Sequence, residues 1–174
     1  MSIVKLEVKN ITYYERGSEE TPCYNATVYV NGKKAVEVSN DGQGGCDRQH
    51  TYPECQFDIR QIDKWCVEKF GQETWEYNGN TYSTDLDLEH YCHQELYKWI
   101  DTKALKKEMK KQYLCVDKKD DREFLVTFIK TSPSSPQKDH AFENHLKSKY
   151  PHMIGKCLNF LPFDEALEIY KEYV

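Results

Sequence analysis

The sequence predicts an α+β fold in which a mostly antiparallel sheet with an N-terminal β-hairpin packs against three to five helices. Three observations support this prediction. An Asn-Gly pair lies between two runs rich in β-branched and aromatic residues, apolar residues recur at helical spacing from residue 57 to residue 70, and strand-like and helix-like segments follow one another without strict alternation. The chain has 174 residues, the size of one domain, so we expect a single domain over residues 1–174.

The first strands are predicted from alternation and turn chemistry. Residues 3–14 alternate apolar and polar side chains, which is typical of a half-buried strand. After a polar loop, the segments CYNATVYV and KKAVEVSN flank Asn31 and Gly32, and both residues tolerate the positive φ of a tight turn. The pattern leaves open whether the turn has two residues or three with a glycine bulge. The glycine-rich segment SNDGQGGCDRQH follows at residues 39–50.

Two helices are predicted in the middle of the chain. Apolar residues at spacings of three and four indicate a helix over residues 57–70, and Gly71 ends it. Residues 72–84 are rich in aromatic and turn residues and suit either a small hairpin or a surface loop. Thr84 has the chemistry of an N-cap for one long helix, or two abutting helices, over residues 87–112.

The last third of the chain continues the mixed pattern. It predicts strands over residues 113–117 and 123–130, joined by a charged turn, and a proline-serine connector over residues 131–136. It then predicts a helix over residues 137–149, a strand over residues 153–161, and a terminal helix over residues 163–173 with Pro162 at its first position.

Composition limits the function and the compartment. The net charge of −5 argues against a surface built as a whole to neutralise nucleic-acid phosphates. No apolar run approaches the about 18 residues of a membrane helix, and the N-terminus lacks the pattern of a signal peptide, so a cytoplasmic protein without membrane contact is predicted. The seven cysteines are odd in number and form no C-x-x-C pair, which favours reduced and mostly buried thiols.

The glycine-rich segment is the first candidate site. Its structural interpretation is a flexible or bulged exit from the hairpin. A functional interpretation is that its backbone amides, with Arg48, hold a ligand or partner. The segment does not match a phosphate-loop motif. The candidate ligand-binding residues are Asp41, Gly42, Gly44, Gly45, Arg48 and His50. Use of Asp41, Asp47 and His50 in metal binding or catalysis is a third alternative.

Histidines and cysteines give no local catalytic or metal signature. His90 and His93 lie one helical turn apart, but zinc needs more ligands, and only the tertiary structure could bring Cys46, Cys55 or Asp47 alongside them. Helix-surface histidines are the ordinary interpretation. Likewise, no signature pairs Cys46 or Cys115 with a histidine as a nucleophile. We therefore predict no catalytic residue, no bound metal and no cofactor.

Two further groups of side chains are candidate contact surfaces. Five lysines near the end of the long helix either complement its dipole in solvent or form an anion or nucleic-acid patch, at Lys103, Lys106, Lys107, Lys110 and Lys111. The aromatic residues Trp75, Tyr77 and Tyr82 are candidate contacts that could stack on bases or on a nucleotide. Nothing in the sequence places them beside the lysines.

Two segments carry a resemblance. The runs VYVNGKKAVEVSNDGQGGCD and NFLPFDEALEIY resemble a family of short proteins of bacterial, phage and mobile-element genomes, which share a hairpin followed by S-N-D-G-x-G-G and a C-terminal L-P-F-D-E-A-L. The resemblance covers the two ends better than the middle. It implies the context of a small accessory protein and transfers neither an activity nor a catalytic residue.

Together these observations favour a non-enzymatic cytosolic binding protein of phage or mobile-element type, for example an inhibitor of a host defence system. It would act by protein–protein contact or by binding an anionic ligand such as a nucleotide. One alternative is a metal-assisted phosphoester hydrolase that uses Asp41, Asp47 and His50 with His90 or His93. Another is a nucleic-acid binder that uses the lysine-rich helix end. A homo-oligomer is compatible with each of them.

Overall fold

The computed structural model describes residues 2–119, 122–128, 136–151 and 157–174. Over these residues the fold is α+β, with four α-helices and antiparallel sheets, as the sequence predicts. The chain divides into two compact units, Met1–Trp99 and Ile100–Val174. That the whole chain forms one domain stays a prediction.

A four-stranded antiparallel sheet dominates the first unit. Its strands are β1 (Leu6–Tyr13), β2 (Cys23–Val30), β3 (Lys33–Asp41) and β4 (Arg48–Thr51), and they lie in chain order. The turn between β2 and β3 has two residues, since Val30 pairs with Lys33 and both Asn31 and Gly32 have positive φ. The tight Asn-Gly hairpin is therefore present, with the shorter of the two turns that the sequence allowed.

The sheet buries one face of its central strands. Tyr24, Ala26, Val28 and Val30 of β2 are buried, and so are Val36 and Val38 of β3. Burying each of these valines contributes about 1.5–3 kcal/mol relative to leaving it exposed. The first strand is irregular where Asn10 takes a positive φ, and its pairing with β2 shifts between Lys9 and Thr12.

The fourth strand was not predicted. Residues 48–51 (RQHT) carry no alternating apolar side chains, and three of the four are exposed. The segment pairs with β3 through its backbone, with Arg48 opposite Ser39 and His50 opposite Glu37. Because backbone pairing at a sheet edge requires no apolar pattern, residues 48–51 carry no sequence signal for a strand.

The helix predicted over residues 57–70 is present as α1 (Ile59–Phe70). Asp58 caps it: its side chain accepts the backbone N–H of Gln61, and the Gln61 side chain accepts the N–H of Asp58. Gly71 ends the helix with a φ of 84°. Ile62 and Cys66 form the buried stripe.

A separate two-stranded hairpin follows, made of β5 (Gln72–Tyr77) and β6 (Asn80–Asp85). One continuous helix, α2 (Leu88–Met109), follows the hairpin. The prediction of Thr84 as its N-cap is wrong, because Thr84 lies in β6 opposite Glu73. Asp87 takes that role, since its Oδ1 accepts the backbone N–H of His90 at 3.1 Å.

The second unit contains a third antiparallel pair and two helices. Its elements after α2 are β7 (Tyr113–Lys119), β8 (Arg122–Phe128), α3 (Pro136–Lys149) and α4 (Phe163–Lys171). One buried cluster joins α2 and β7 to α4 and consists of Leu105, Leu114, Leu158, Ala166, Leu167 and Tyr170. A second cluster consists of Tyr113, Cys115, Phe142, Leu146 and Cys157.

The strand predicted over residues 153–161 is wrong where the structure describes it. Cys157 makes one antiparallel bridge with Cys115, and Leu158–Phe160 forms a 3-10 turn. The Asn159 side chain fixes this turn by accepting the N–H of Leu114 and donating to the carbonyls of Met109 and Gln112. Residues 153–156, the predicted strand end at 129–130 and most of the connector, at 131–135, lie outside the described residues.

The cap of α4, the thiols and the hydropathy of the helices also bear on the sequence predictions. Pro162 is the N-cap of α4 rather than its first helical residue. The seven cysteines are free thiols, of which four are buried and Cys46 is exposed. Among the described ranges, no helix is long and apolar enough to cross a membrane.

Candidate functional site

The glycine-rich segment is a packed loop between β3 and β4. The carbonyl oxygen of Gly42 accepts the backbone N–H groups of Glu19 and Glu20, each at 3.0 Å. A Cβ at Gly42 would lie 1.9 Å from the carbonyl oxygen of Gly17, and the φ of Gly42 is +85°. Glycine is therefore required at this position, since only its backbone can approach the preceding loop so closely.

The first amides of the loop are used inside the protein. The N–H of Gly42 donates to Asn40 Oδ1 at 2.9 Å, and the N–H of Gly44 donates to Thr21 Oγ1 at 3.2 Å. A Cβ at Gly44 would lie 2.6 Å from a carboxylate oxygen of Glu20. Amides that are satisfied internally, beside a carboxylate, favour a structural loop over a cradle for an anion.

The loop ends at Asp47, whose side chain is fully buried. The Tyr24 hydroxyl donates a short hydrogen bond to Asp47 Oδ2. Asn40 Nδ2 donates to Asp47 Oδ1 at 3.1 Å, and His93 Nε2 lies 3.3 Å from the same oxygen. The loop thereby returns Asp47 to the end of β3 and places it against α2.

These contacts shift the acidity of the paired groups. Burial by itself raises the pKa of Asp47, but the hydrogen bonds from His93, Tyr24 and Asn40 outweigh it and hold the pKa below its ordinary value. The hydrogen bond to Asp47 raises the pKa of His93 by more than burial lowers it. Burial, together with the Asp47 carboxylate, raises the pKa of Tyr24. The Asp47 carboxylate is therefore held in its charged form.

Glu89 is a third titratable residue beside Asp47 and His93. The backbone N–H of Asp47 donates to Glu89 Oε1 at 3.1 Å. Glu89 and His93 are four residues apart on α2, so they share one face of the helix. One donor atom from each of Asp47, Glu89 and His93 lies within 4.8 Å of the others, which is a set of groups that could hold a metal ion. We refer to these three residues as the Asp47 cluster.

The other candidates of this region have different partners. Asp41 forms an exposed ion pair with Arg48. His50 is exposed on β4, and His90 Nδ1 lies 2.9 Å from Asp87 Oδ1. The Cys55 thiol contacts the carbonyl of Phe57 at 3.2 Å. Of the residues considered for metal or catalytic use, the structure joins Asp47 to His93 and adds Glu89, which the sequence analysis missed.

The five candidate lysines surround one open depression at the C-terminal end of α2, in the second unit. Lys106 Nζ lies 4.9 Å from the centre of the Phe163 ring, an attractive cation–π geometry. The aromatic candidates belong to the first unit. The lysines thus form a local basic surface at a helix end, where they also complement the helix dipole.

The β5–β6 hairpin presents the aromatic candidates on one face. Trp75 pairs directly with Tyr82, and alternation places Tyr77 on the same side. The Trp75 and Tyr82 rings stack with centres 5.9 Å apart. The exposed fractions are 47% for Trp75, 63% for Tyr77 and 44% for Tyr82. We refer to these three side chains as the aromatic face of the hairpin.

The hairpin is exposed on both sides and is acidic. Every residue of its two strands is exposed except Thr84, which is half-buried. Residues 72–85 include Glu73, Glu76 and Asp85 and no lysine or arginine. The aromatic face therefore lies within a negatively charged element.

No protein-family model matches this sequence, and comparison with curated proteins and with solved structures found no match.

Proposed function

We propose that this chain is a non-enzymatic binding protein that contacts a protein with a basic surface through the aromatic face of the β5–β6 hairpin. The observation that carries the proposal is the aromatic face itself, with Trp75, Tyr77 and Tyr82 side by side and exposed. Large aromatic side chains, tryptophan and tyrosine above all, supply much of the binding energy at protein interfaces.

The energetics of the hairpin support a contact role. A two-stranded hairpin without a buried face is marginally stable in water. Here the stacking of Trp75 on Tyr82 strengthens the pair but leaves much of both rings in solvent. An exposed aromatic surface of this kind is typical of a surface that a partner covers.

Charge selects the class of partner. The three carboxylates of the hairpin repel the phosphates of nucleic acid and attract a basic protein surface. Binding an anionic ligand at the glycine-rich loop has less support, because the amides of Gly42 and Gly44 donate within the protein. Protein–protein contact is therefore the form of binding that we favour.

Hydrolysis has less support than binding. The hydrolase hypothesis needs Asp41, Asp47 and His50 around one metal, whereas Asp41 pairs with Arg48 and His50 is exposed on β4. The nucleic-acid hypothesis relies on the lysines alone, since the hairpin that carries the aromatic face has carboxylates and no lysine or arginine. The resemblance to phage and mobile-element proteins supports a bacterial partner, such as a component of a host defence system.

The test is capture of a partner from a nuclease-treated bacterial lysate on the immobilised protein. The wild-type chain is compared with the triple variant Trp75→Ser, Tyr77→Ser, Tyr82→Ser. We expect one basic protein to bind the wild type and to be lost from the variant, and we expect the purified partner to bind the wild type directly.

The matched control changes the opposite face of the same hairpin, with Thr74→Ala, Thr81→Ala and Ser83→Ala. These residues lie on the polar side, where Thr74 pairs with Ser83. The control variant should capture the same protein as the wild type. The proposal is wrong if the aromatic variant retains that protein equally, if only nucleic acid is captured, or if the folded wild type captures no protein.

A further inference from the structure

We propose that the Asp47 cluster is a binding site for a divalent transition metal of the zinc type. The site would join the glycine-rich loop to α2 through Asp47, Glu89 and His93. It is separate in its residues from the aromatic face of the hairpin, so the two proposals can fail independently.

The spacing of the donor atoms in the Asp47 cluster supports a metal site. The donor atoms of the three residues lie within 4.8 Å of one another. His93 Nε2 and Asp47 Oδ1 are 3.3 Å apart. Two ligands of a tetrahedral zinc ion, each bonded at about 2.0–2.1 Å, are separated by about 3.4 Å. His93 Nε2 and Asp47 Oδ1 are therefore already separated by about the distance between two ligand atoms of one zinc ion.

The charges of Asp47 and Glu89 also support a metal site. Asp47 is fully buried and Glu89 is half-buried, and a buried carboxylate is costly without a compensating positive charge. Within the described parts of the chain, no ion pair joins a lysine or arginine to Asp47 or Glu89. The imidazole of His93 offers at most one positive charge to two carboxylates. A divalent cation would balance both.

The hydrogen bonds that hold Asp47 and Glu89 support a metal site as well. Metal-binding carboxylates are themselves held by outer hydrogen bonds, which fix their orientation. Tyr24 and Asn40 hold Asp47 in this way, and the backbone N–H of Asp47 holds Glu89. The helix sets the spacing of Glu89 and His93. The three ligands are therefore oriented by the fold before any ion binds.

Ligand type selects the metal. One imidazole nitrogen and two carboxylate oxygens suit zinc, whereas Ca²⁺ and Mg²⁺ prefer oxygen ligands alone. The His93 side chain is 27% exposed, which gives the site access to solvent. Three protein ligands leave one position of a tetrahedral shell for water.

The test uses the full chain, stripped of metal with a chelator and then titrated with zinc chloride alone. Native mass spectrometry and calorimetry report the stoichiometry and the affinity. We expect one zinc ion per chain and a higher unfolding temperature on binding, because the ion binds the folded state. The inference is overturned if the folded apoprotein takes up no zinc.

Variants locate the ion. Glu89→Gln keeps an acceptor for the Asp47 amide, so the fold should persist, as circular dichroism will show. We expect Glu89→Gln and His93→Asn to weaken zinc binding by at least about tenfold. His90→Asn, on the same helix but bonded to Asp87, and Cys46→Ser are the controls and should bind as the wild type does. Zinc affinity in both cluster variants equal to that of the wild type would overturn the assignment.

Discussion

Asp47 shows how a single carboxylate can organise a loop. Its two oxygens accept from Tyr24 and Asn40 and contact His93, and its own N–H donates to Glu89. The sequence named Asp47 and His93 as candidates, but they are separated by 46 residues and nothing local pairs them. Glu89 was missed, although it lies one helical turn before His93. Only the return of the loop onto α2 brings the three together.

Gly42→Ala should destabilise the protein strongly. The added Cβ meets the carbonyl oxygen of Gly17 at 1.9 Å, and the φ of +85° is unfavourable for alanine. Gly45→Ala is the matched control, because Gly45 has the same φ and open space around it. We expect Gly45→Ala to cost about 1–2 kcal/mol and Gly42→Ala at least about 2 kcal/mol more, as measured by urea unfolding. Equal losses would contradict the close contact.

The effect of Asp63→Asn on the stability of the folded protein should become more favourable as the pH rises. Burial, together with the charge of Asp87, raises the pKa of Asp63 above 3.8 despite its hydrogen bond from the N–H of Leu88. A carboxyl whose pKa is higher in the folded state contributes stability below its unfolded pKa and loses it as the pH rises through the folded value. Asparagine keeps the acceptor without the charge.

The measurement is the free energy of unfolding of both proteins between about pH 3 and pH 7, a range that spans the ordinary pKa of aspartate. The free energy of unfolding of Asp63→Asn, minus that of the wild type, should increase as the pH rises across this range. A difference that stays constant with pH, or that shifts towards the wild type, would show that Asp63 is not disfavoured as a charged group.

Among the elements, the Asn-Gly turn and the helical spacing of apolar residues were the reliable signals, whereas the cap predicted at Thr84 was wrong. Asn31-Gly32 predicted the β2–β3 hairpin, and the apolar spacing with Gly71 predicted α1. Elements whose stability comes from distant partners were missed. The polar β4 pairs through its backbone, and the 3-10 turn at Leu158–Phe160 depends on Asn159, which bonds to residues at the start of β7 and before it.

The β5–β6 hairpin should be dispensable for folding. Its ends are adjacent, since the N–H of Leu86 donates to the carbonyl of Gly71 at 3.1 Å, and its strands bury no residue. Replacing residues 72–85 by two glycines should change the free energy of unfolding by no more than about 1 kcal/mol, because a short loop still connects the same ends. A large loss of stability would mean that the aromatic face supports the fold rather than a contact.

Each of the two units has its own buried residues, and the exposure of the thiols follows this burial. Cys46 is exposed, whereas Cys66, Cys92, Cys115 and Cys157 are buried. Burial also raises the pKa of the Cys66 thiol to about 12, which disfavours the reactive thiolate. We expect a thiol reagent to modify Cys46 first and the four buried thiols only on unfolding. Rapid reaction of the buried thiols in the native state would contradict this packing.

Charge is unevenly distributed along a chain whose net charge is −5. The hairpin at residues 72–85 carries only carboxylates, and the end of α2 carries five lysines around one depression. A binding protein with such local charges should show partner affinity that falls with added salt, since exposed charges are screened over about 10 Å at 0.1 M salt.

Contact through the aromatic face is best tested by measuring the dissociation constant between the captured partner, once purified, and single-site variants of the hairpin. Trp75→Ser should weaken binding by at least about tenfold, as expected for an aromatic anchor at an interface. Thr74→Ala, its neighbour on the opposite face, should leave the constant within about twofold of the wild type. Equal constants for Trp75→Ser and the wild type would contradict a contact through the aromatic face.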